Sequence, residues 1–231
     1  MFVLKKTMIA LERPFYAKLY HNIYIEIVYF NIHMYKKIAI TENMIRTLCL
    51  FTEGFNNALY VREVHKKAGI SPRTAQLVLE ELEKKGVMTS KTRGKIKEYT
   101  LQTNDITKNY LLLAETYKTI TFLETNLLIK EIIEKITTHI KGIGIIFGSY
   151  AKNSQTKTSD IDIFVAGTCD ENKIEEIAKT YGKEINVKCY PEEVFAKEQH
   201  KDILLKEIAK NHLLLTGMET YVNEAINTWI R

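Results

Sequence analysis

The pattern of hydrophobic and polar positions predicts three structured regions after an N-terminal stretch that has no clear period. Residues 1–36 hold many aromatic side chains but show neither helical nor strand periodicity. We interpret this stretch either as an extra arm or hairpin, or as an extension upstream of a true start at Met34. The three regions that follow are residues 37–103, 104–141 and 142–231.

The pattern in residues 37–103 changes from helical to strand-like. Apolar residues three and four apart predict three helices, and two strand-like stretches on either side of Arg93-Gly94 predict a hairpin. Gly69 suits the end of the second helix, and Ser71 followed by Pro72 suits the start of the third. The predicted elements are a helix from Thr41 that ends before Asn56, helices Tyr60 to Ala68 and Ser71 to Lys85, and strands Val87 to Ser90 and Lys97 to Leu101.

Charge is unevenly distributed along the chain. The segment from Tyr60 to Glu98 contains ten basic and five acidic residues. Its excess of +5 equals the net charge of the whole protein. With its order of helix, helix-turn-helix and hairpin, this region resembles winged helix-turn-helix DNA-binding domains, which implies contacts with duplex DNA phosphates. The alternative is a winged helix used for dimerisation or protein contacts. The DNA-contacting candidates are Arg73, Lys91, Arg93 and Lys95.

The rest of the chain is predicted to be a helical connector followed by alternating strands and helices. Residues 104–141 carry two helical stripes. In residues 142–231 the strands are predicted at Ile143 to Phe147, Asp160 to Ala166 and Glu184 to Tyr190, and an amphipathic helix at Glu171 to Tyr181. The fold class is therefore α+β, with a small mixed sheet in the C-terminal region.

Two features in the C-terminal region point to phosphate and metal chemistry. Gly148-Ser149 directly follows a buried strand, where a glycine lets the backbone approach a phosphate and the serine adds a hydroxyl. Asp160 and Asp162 are two residues apart in a predicted strand, so their carboxylates share one face. Two carboxylates that close repel each other unless a cation lies between them, and Mg²⁺ is the simplest such cation.

The stretch from Gly148-Ser149 to Asp160-Ile161-Asp162 resembles the signature of the polymerase β-like nucleotidyltransferases. The branch with the best likeness is the minimal nucleotidyltransferases of archaea and bacteria, which include MntA-type antitoxins that add AMP to a HEPN toxin. The resemblance implies that Gly148 and Ser149 hold the triphosphate of ATP or another NTP, and that Asp160 and Asp162 bind Mg²⁺ and are catalytic. A substrate hydroxyl would then attack the α-phosphate and pyrophosphate would leave.

The sequence departs from that signature at two positions. Asn153 stands where the family usually has a glycine, and asparagine tolerates the left-handed backbone region. Alignment of the predicted strand places Asn186 where the family has its third carboxylate. An amide cannot take a proton from a hydroxyl, so Glu184, two residues earlier on the same face, is the predicted substitute; Asp170 is a more distant candidate.

Composition narrows the cellular setting. The three cysteines, Cys49, Cys169 and Cys189, have neither disulfide-framework nor zinc spacing and suggest a reducing cytoplasm. The longest apolar run, Ile23 to Ile32, carries Glu26 and is too short to span a membrane. We therefore expect a cytoplasmic protein without a membrane partner.

Three functions are compatible with these features. The first is a Mg²⁺-dependent enzyme that transfers a nucleoside monophosphate, AMP by preference, to a protein or a small hydroxyl acceptor. The second is a transcriptional regulator that senses NTP with little or no transfer. The third is an antitoxin that acts on a HEPN partner. The Asp160/Asp162 pair favours the enzyme, whereas Asn186 and the basic winged helix favour the regulator.

Overall fold

The structure, a computed structural model, describes residues 39–198 and 201–229. By its contacts the chain divides into Met1–Thr41 and Glu42–Arg231, and every helix and strand given below belongs to the second unit. The interpretation of residues 1–36 as an arm or an extension falls outside the described residues.

Helices and a small antiparallel sheet form the first part of the second unit. The strand order in the sheet is β1-β3-β2. The elements are α1 (Glu42–Thr52), β1 (Leu59–Tyr60), α2 (Val61–Ala68), α3 (Pro72–Lys84), β2 (Met88–Arg93) and β3 (Ile96–Leu101).

Local sequence signals explain where most of these elements begin and end. Ser71 caps α3 by accepting a hydrogen bond from the Thr74 amide at 3.0 Å, which confirms the predicted start. Gly69 ends α2 with a φ of +64°, also as predicted. The hairpin turn is Gly94-Lys95 rather than Arg93-Gly94, because the left-handed φ of +63° at Gly94 starts the two-residue turn there.

The first helix is shorter than its sequence pattern suggested. α1 ends at Thr52, before the predicted stop at Asn56. The chain turns at Gly54 and Phe55, whose φ values are +92° and +53°, and the Gly54 amide donates to the Ala209 carbonyl at 2.9 Å. This tertiary hydrogen bond, which no local pattern reveals, holds the end of α1.

The two connector helices are α4 (Asp105–Thr125) and α5 (Leu127–Ile136), separated at Asn126. α4 is part of the core of the unit. The buried Thr119 hydroxyl donates to the Leu214 carbonyl at 2.7 Å, and Lys108 pairs with Glu219 at 3.0 Å. Contacts near both ends of α4 therefore hold this helix against the C-terminal region.

A four-stranded mixed sheet organises the C-terminal part, as the α+β prediction required. Its strand order is β6-β5-β4-β7, with β5 and β6 parallel and the other pairs antiparallel. Residues 213–216, for which no strand was predicted, form its edge strand. The elements are β4 (Ile140–Phe147), α6 (Gly148–Ala151), β5 (Ile161–Cys169), α7 (Glu171–Thr180), β6 (Ile185–Tyr190), α8 (Glu192–Glu198), α9 (Ile203–Lys210), β7 (Leu213–Thr216) and α10 (Met218–Trp229).

Both faces of this sheet are covered. Ile146, Ile163 and Val165 pack on the side of α5 and α7. Phe164 and Leu214, on the opposite face, belong to one continuous apolar cluster that also contains the buried residues of α1, α3 and α4. The helices of the first part and the sheet of the second therefore share a core. Within the described part of the chain, no helix combines the length and apolar character needed to cross a membrane.

Candidate active site

The pairing of three strands places the candidate site at one end of the mixed sheet. In the antiparallel β4–β5 pair, Phe147 lies opposite Asp162. In the parallel β5–β6 pair, Asn186 lies beside Asp162. The last residue of β4, the carboxylate of β5 and the amide of β6 are thus in one row across the sheet, and Gly148 follows immediately.

Gly148 is packed directly against Asp162. Its φ is +69°, and a Cβ atom at this position would lie 2.3 Å from Asp162 Oδ2. The backbone conformation and the lack of space both select glycine here. Gly148 opens α6, a single helical turn in which its carbonyl accepts a hydrogen bond from the Lys152 amide at 3.1 Å. The strand-end glycine predicted from the sequence therefore brings backbone and carboxylate into contact.

The loop after α6 is held by its own backbone. The Ser149 carbonyl accepts from the Ser154 amide at 3.0 Å, and Asn153 has a φ of +52°. Asn153 therefore takes up the left-handed conformation that asparagine tolerates. Lys152, which directly follows α6, forms an ion pair with Glu207 of α9. This ion pair connects the end of α6 to α9.

Asn186, the residue aligned with the family's third carboxylate, contacts Asp162. Its Nδ2 donates to Asp162 Oδ1 at 3.3 Å. Asn186 is exposed, and Asp162 is half-buried. The position next to the β5 carboxylate is therefore occupied by an amide, which cannot act as a base.

Asp160 and Glu184 lie together at the edge of the site. Both are exposed and line a shallow pocket of about 270 Å³. The Ile161 amide donates to the Glu184 carbonyl at 2.9 Å. The predicted strand starts at Asp160 and Glu184 are each one residue early, because β5 begins at Ile161 and β6 at Ile185.

A lysine that the sequence motif did not reveal shapes the same pocket. Lys183 Nζ donates to the Lys157 carbonyl at 2.9 Å and to the Tyr150 hydroxyl at 3.4 Å. Its ammonium group therefore joins the loop after α6 to the start of β6. Lys157 and Lys183 place positive charge beside Asp160 and Glu184. The only sequence signal for Lys183 was its position directly before Glu184.

The donor atoms of this site suit a hard divalent cation only in part. The described residues contain no cluster of three or more His, Cys, Asp or Glu side chains able to hold a metal ion. Asp160 and Asp162 nevertheless supply carboxylate oxygens, the ligands that Mg²⁺ prefers, and Mg²⁺ usually keeps waters or phosphate oxygens in its other positions. Asp160 and Asp162 would therefore supply only part of a Mg²⁺ coordination shell, and phosphate oxygens and waters would have to complete it.

Two of the three cysteines have raised pKa values. Burial and a hydrogen bond with Cys189 raise the pKa of Cys169 to about 12. Burial likewise raises the pKa of Cys49 to about 11. Both side chains are therefore neutral thiols at pH 7 and poor nucleophiles.

The C-terminal region is similar to a known family of domains. Residues 127–219, from the first residue of α5 to the second residue of α10, match the family model of the nucleotidyltransferase domain. The match contains Gly148, Asp160, Asp162 and Glu184. It supports a nucleotidyltransferase domain and nucleotidyl transfer as its general chemistry.

A curated relative agrees with that class. The chain is 37% identical over 80 residues to the protein named "Putative protein adenylyltransferase MJ1547" of Methanocaldococcus jannaschii. The aligned part is 35% of this chain and 59% of the relative, so the chain spans less than two thirds of the length of that protein.

One solved structure also aligns with the chain. It is that of TrmBL2, an archaeal chromatin protein, and the alignment covers 78% of this chain and 73% of the other at 12% identity. The TM-score is 0.26, a level at which the likeness carries no argument about fold or function.

Proposed function

We propose that the protein is a Mg²⁺-dependent nucleotidyltransferase that moves AMP from ATP to a hydroxyl of a protein or small-molecule acceptor. The observation that carries the proposal is the contact between Gly148 and Asp162, in which the strand-end glycine and the carboxylate of the signature meet. The nucleotidyltransferase match over residues 127–219 supports the same chemistry.

Each residue has a defined role in this proposal. Gly148 and Ser149 bind the triphosphate through the start of α6, and the nearby Lys157 and Lys183 add positive charge. Asp160 and Asp162 hold Mg²⁺, which when bound supplies charge stabilisation at the α-phosphate. The acceptor oxygen forms a bond to the α-phosphorus, the bond between that phosphorus and the bridging oxygen breaks, and pyrophosphate leaves.

Glu184 receives the acceptor proton in this scheme. Asn186 cannot do so, because its amide is not basic at neutral pH. Glu184 is exposed, and it shares the pocket with Asp160. We therefore expect transfer to be slower than with an acid at position 186, since the base is displaced by two residues from that position.

A protein is the preferred acceptor. The curated relative carries the name of a protein adenylyltransferase, and the wide, exposed edge around Asp160 and Glu184 leaves room for a hydroxyl on a large substrate. A HEPN-type toxin is the specific acceptor suggested by the minimal nucleotidyltransferase resemblance.

The test is incubation of the full chain with α-labelled ATP, Mg²⁺ and lysate of the source organism. Label should appear on a protein, and it should be absent with the Asp160→Asn/Asp162→Asn variant. Calorimetry of the two proteins with ATP should show that the variant loses the Mg²⁺ dependence of binding. Mg²⁺-dependent labelling that survives in the variant would mean that the metal is held elsewhere.

A second candidate function is DNA binding by a winged helix formed by α1–α3 and the β2–β3 hairpin. Arg73 lies in the first turn of α3, and Lys91, Arg93 and Lys95 lie on the hairpin. All four are exposed. Arg93, whose side chain is 79% exposed, lies 3.6 Å from Glu98, and within residues 39–198 and 201–229 the other three form no ion pair with a carboxylate. These side chains are therefore free to reach phosphates.

Both functions combine into one alternative, an NTP-sensing regulator that binds DNA but transfers little or no nucleotide. The amide of Asn186 beside Asp162 is the observation that favours it. If the purified protein binds ATP and duplex DNA but labels no acceptor, the regulator is the better description.

A further inference from the structure

A second pocket, separate from the candidate active site, lies between the first helices and the C-terminal region. It has a volume of about 620 Å³, within the range of small-molecule sites. Its walls come from α1, the end of α2, α4, the α6 turn and the segment that joins α9 to β7. None of Asp160, Asp162, Glu184 and Asn186 is among the residues that line it.

The lining of this junction pocket is positively charged. The lining contains one acidic residue, Glu53, and four basic residues: Arg46, Lys67, Lys118 and Lys210. Lys118 is ion-paired with Glu115 at 2.9 Å. In the described parts of the chain, Arg46, Lys67 and Lys210 form no ion pair with a carboxylate. Three cations without acidic partners around one concave surface favour an anionic ligand.

Aromatic and polar groups line the same pocket. Tyr117, Phe122 and Tyr150 contribute rings, and Phe122 meets Tyr150 edge to face at 6.2 Å between centroids. Amides and hydroxyls of Thr121, Thr125, Asn126 and Asn211 are nearby. Flat rings beside hydrogen-bonding groups are suited to a planar heterocycle.

The inner wall is a fixed polar cluster. Glu115 is fully buried and binds Lys118 Nζ at 2.9 Å, and His212 Nε2 lies 3.1 Å from the other carboxylate oxygen. The His212 Nδ1 donates to the Ile208 carbonyl at 3.0 Å. This network joins α4 to α9 and supports the pocket residues Lys118 and His212 from behind.

We propose that the junction pocket is a second ligand site, which binds a nucleoside phosphate with its phosphates toward Arg46, Lys67 and Lys210 and its base among the rings. Tyr150 and Ala151 of the pocket belong to α6, the same single turn that begins with Gly148 and Ser149. A ligand held there contacts the helix that presents the candidate triphosphate loop. Occupancy therefore modulates transfer, a consequence that rests on the proposed function, whereas the binding site itself does not.

The test measures binding without metal and away from catalysis. Each of the four ribonucleoside triphosphates is titrated into the full chain in EDTA and followed by calorimetry. At least one should bind to the wild type and to Asp160→Asn/Asp162→Asn with similar affinity. Absence of binding by all four overturns the proposal.

Two variants of exposed residues locate the ligand. Lys67→Ala/Lys210→Ala removes two pocket charges, and its matched control is Lys66→Ala/Lys206→Ala on the same two helices outside the pocket. The pocket pair should weaken binding at least tenfold and the control should not. Equal effects of both pairs overturn the assignment.

Steric blocking gives an independent check. Thr121→Trp places a bulky side chain in the pocket, and Ile120→Trp places the same side chain on the exposed face of α4 outside it. Binding should be lost only in Thr121→Trp. If metal-free binding instead requires Asp160 and Asp162 and survives Thr121→Trp, the nucleotide occupies the transfer site and the second site is excluded. Binding at the pocket without any transfer would leave this site standing while the proposed enzyme function fails.

Discussion

Gly148 and Asp162 are in contact across the β4–β5 pair, with space between them for a hydrogen atom but not for a methyl group. A Cβ on residue 148 would lie 2.3 Å from Asp162 Oδ2. The relationship joins the proposed phosphate-binding turn to the proposed metal ligand, so a change at one residue displaces the other.

Gly148→Ala should therefore reduce transfer by about 100-fold, the size expected when a reacting group is displaced by about an ångström. Gly86→Ala, at the end of α3 and outside the candidate site, is the matched control, since its φ of +73° imposes similar strain but nothing lies within 4 Å of the added Cβ. Label incorporation and thermal unfolding should be measured for both. Similar loss of transfer in the two variants at similar stability would argue against a special role for the Gly148–Asp162 contact.

The base assignment predicts opposite effects at two neighbouring positions. Asn186→Asp should raise the transfer rate, because it places a carboxylate beside Asp162. Glu184→Gln should lower the transfer rate by at least about tenfold, since a general base typically accelerates a reaction by a factor of roughly 10²–10⁴. Single-turnover rates with labelled ATP would measure both. Glu193→Gln, an exposed change on α8 outside the site, is the control. A full rate in Glu184→Gln would remove Glu184 from the scheme.

The winged-helix proposal predicts binding of duplex DNA that weakens steeply with salt. Arg73→Ala/Arg93→Ala/Lys95→Ala should lower affinity and reduce the slope of log K against log salt by roughly 2 to 3, since each phosphate contact contributes about 0.9. Fluorescence anisotropy at several salt concentrations measures the slope. Replacement of Lys130, Lys141 and Lys179 by Ala removes equal charge elsewhere and should leave the slope unchanged. If the wild type fails to bind duplex DNA even at low salt, the module serves protein contacts.

The buried Glu115 predicts a loss of stability in acid. Burial alone would raise its pKa, but His212 and Lys118 outweigh burial and lower the pKa from 4.5 to about 2. Because the folded-state pKa lies below the unfolded one, the stabilisation is complete above about pH 4.5 and disappears as the pH falls toward 2. This lowering of the Glu115 pKa corresponds to a contribution of about 3 kcal/mol to the free energy of unfolding at pH 7.

Urea unfolding of the wild type and Glu115→Gln at pH 7 and pH 3 tests this prediction. The variant should be less stable at pH 7, and the difference should narrow at pH 3. Glu219→Gln, whose side chain is 73% exposed, is the control and should show only a small effect at both pH values. If the difference in free energy of unfolding between the wild type and Glu115→Gln is the same at pH 7 and pH 3, the carboxylate charge is not what stabilises the fold.

The positions of Gly148 and Asp162 were predictable because they depend on short-range rules, and that of Asn186 was predictable from the resemblance to the nucleotidyltransferase signature. A strand followed by glycine, the period of two along β5, and the parallel alignment of β6 with β5 bring these residues together. The cap at Ser71 and the stop at Gly69 were predictable for the same reason.

Features set by long-range contacts were not predictable. Glu115 and His212 are 97 residues apart, and neither belongs to a local motif. The early end of α1 depends on the hydrogen bond from Gly54 to Ala209. Residues 213–216 form β7 because they pair with the edge of β4. The strand starts at Asp160 and Glu184 were each wrong by one residue, since the ends of strands are set by pairing rather than by composition.

The apolar core that α1, α3 and α4 share with the mixed sheet limits how this architecture can be reused. Domains that are joined only by a flexible linker can be exchanged, lengthened or separated while each keeps its own fold. Here α4 contributes to the interior on both sides, through Leu111 and Ala114 as well as the Thr119 hydrogen bond to β7. The C-terminal region transplanted without residues 105–125 would lose one wall of its interior, so the two regions keep their fold only when they are moved together.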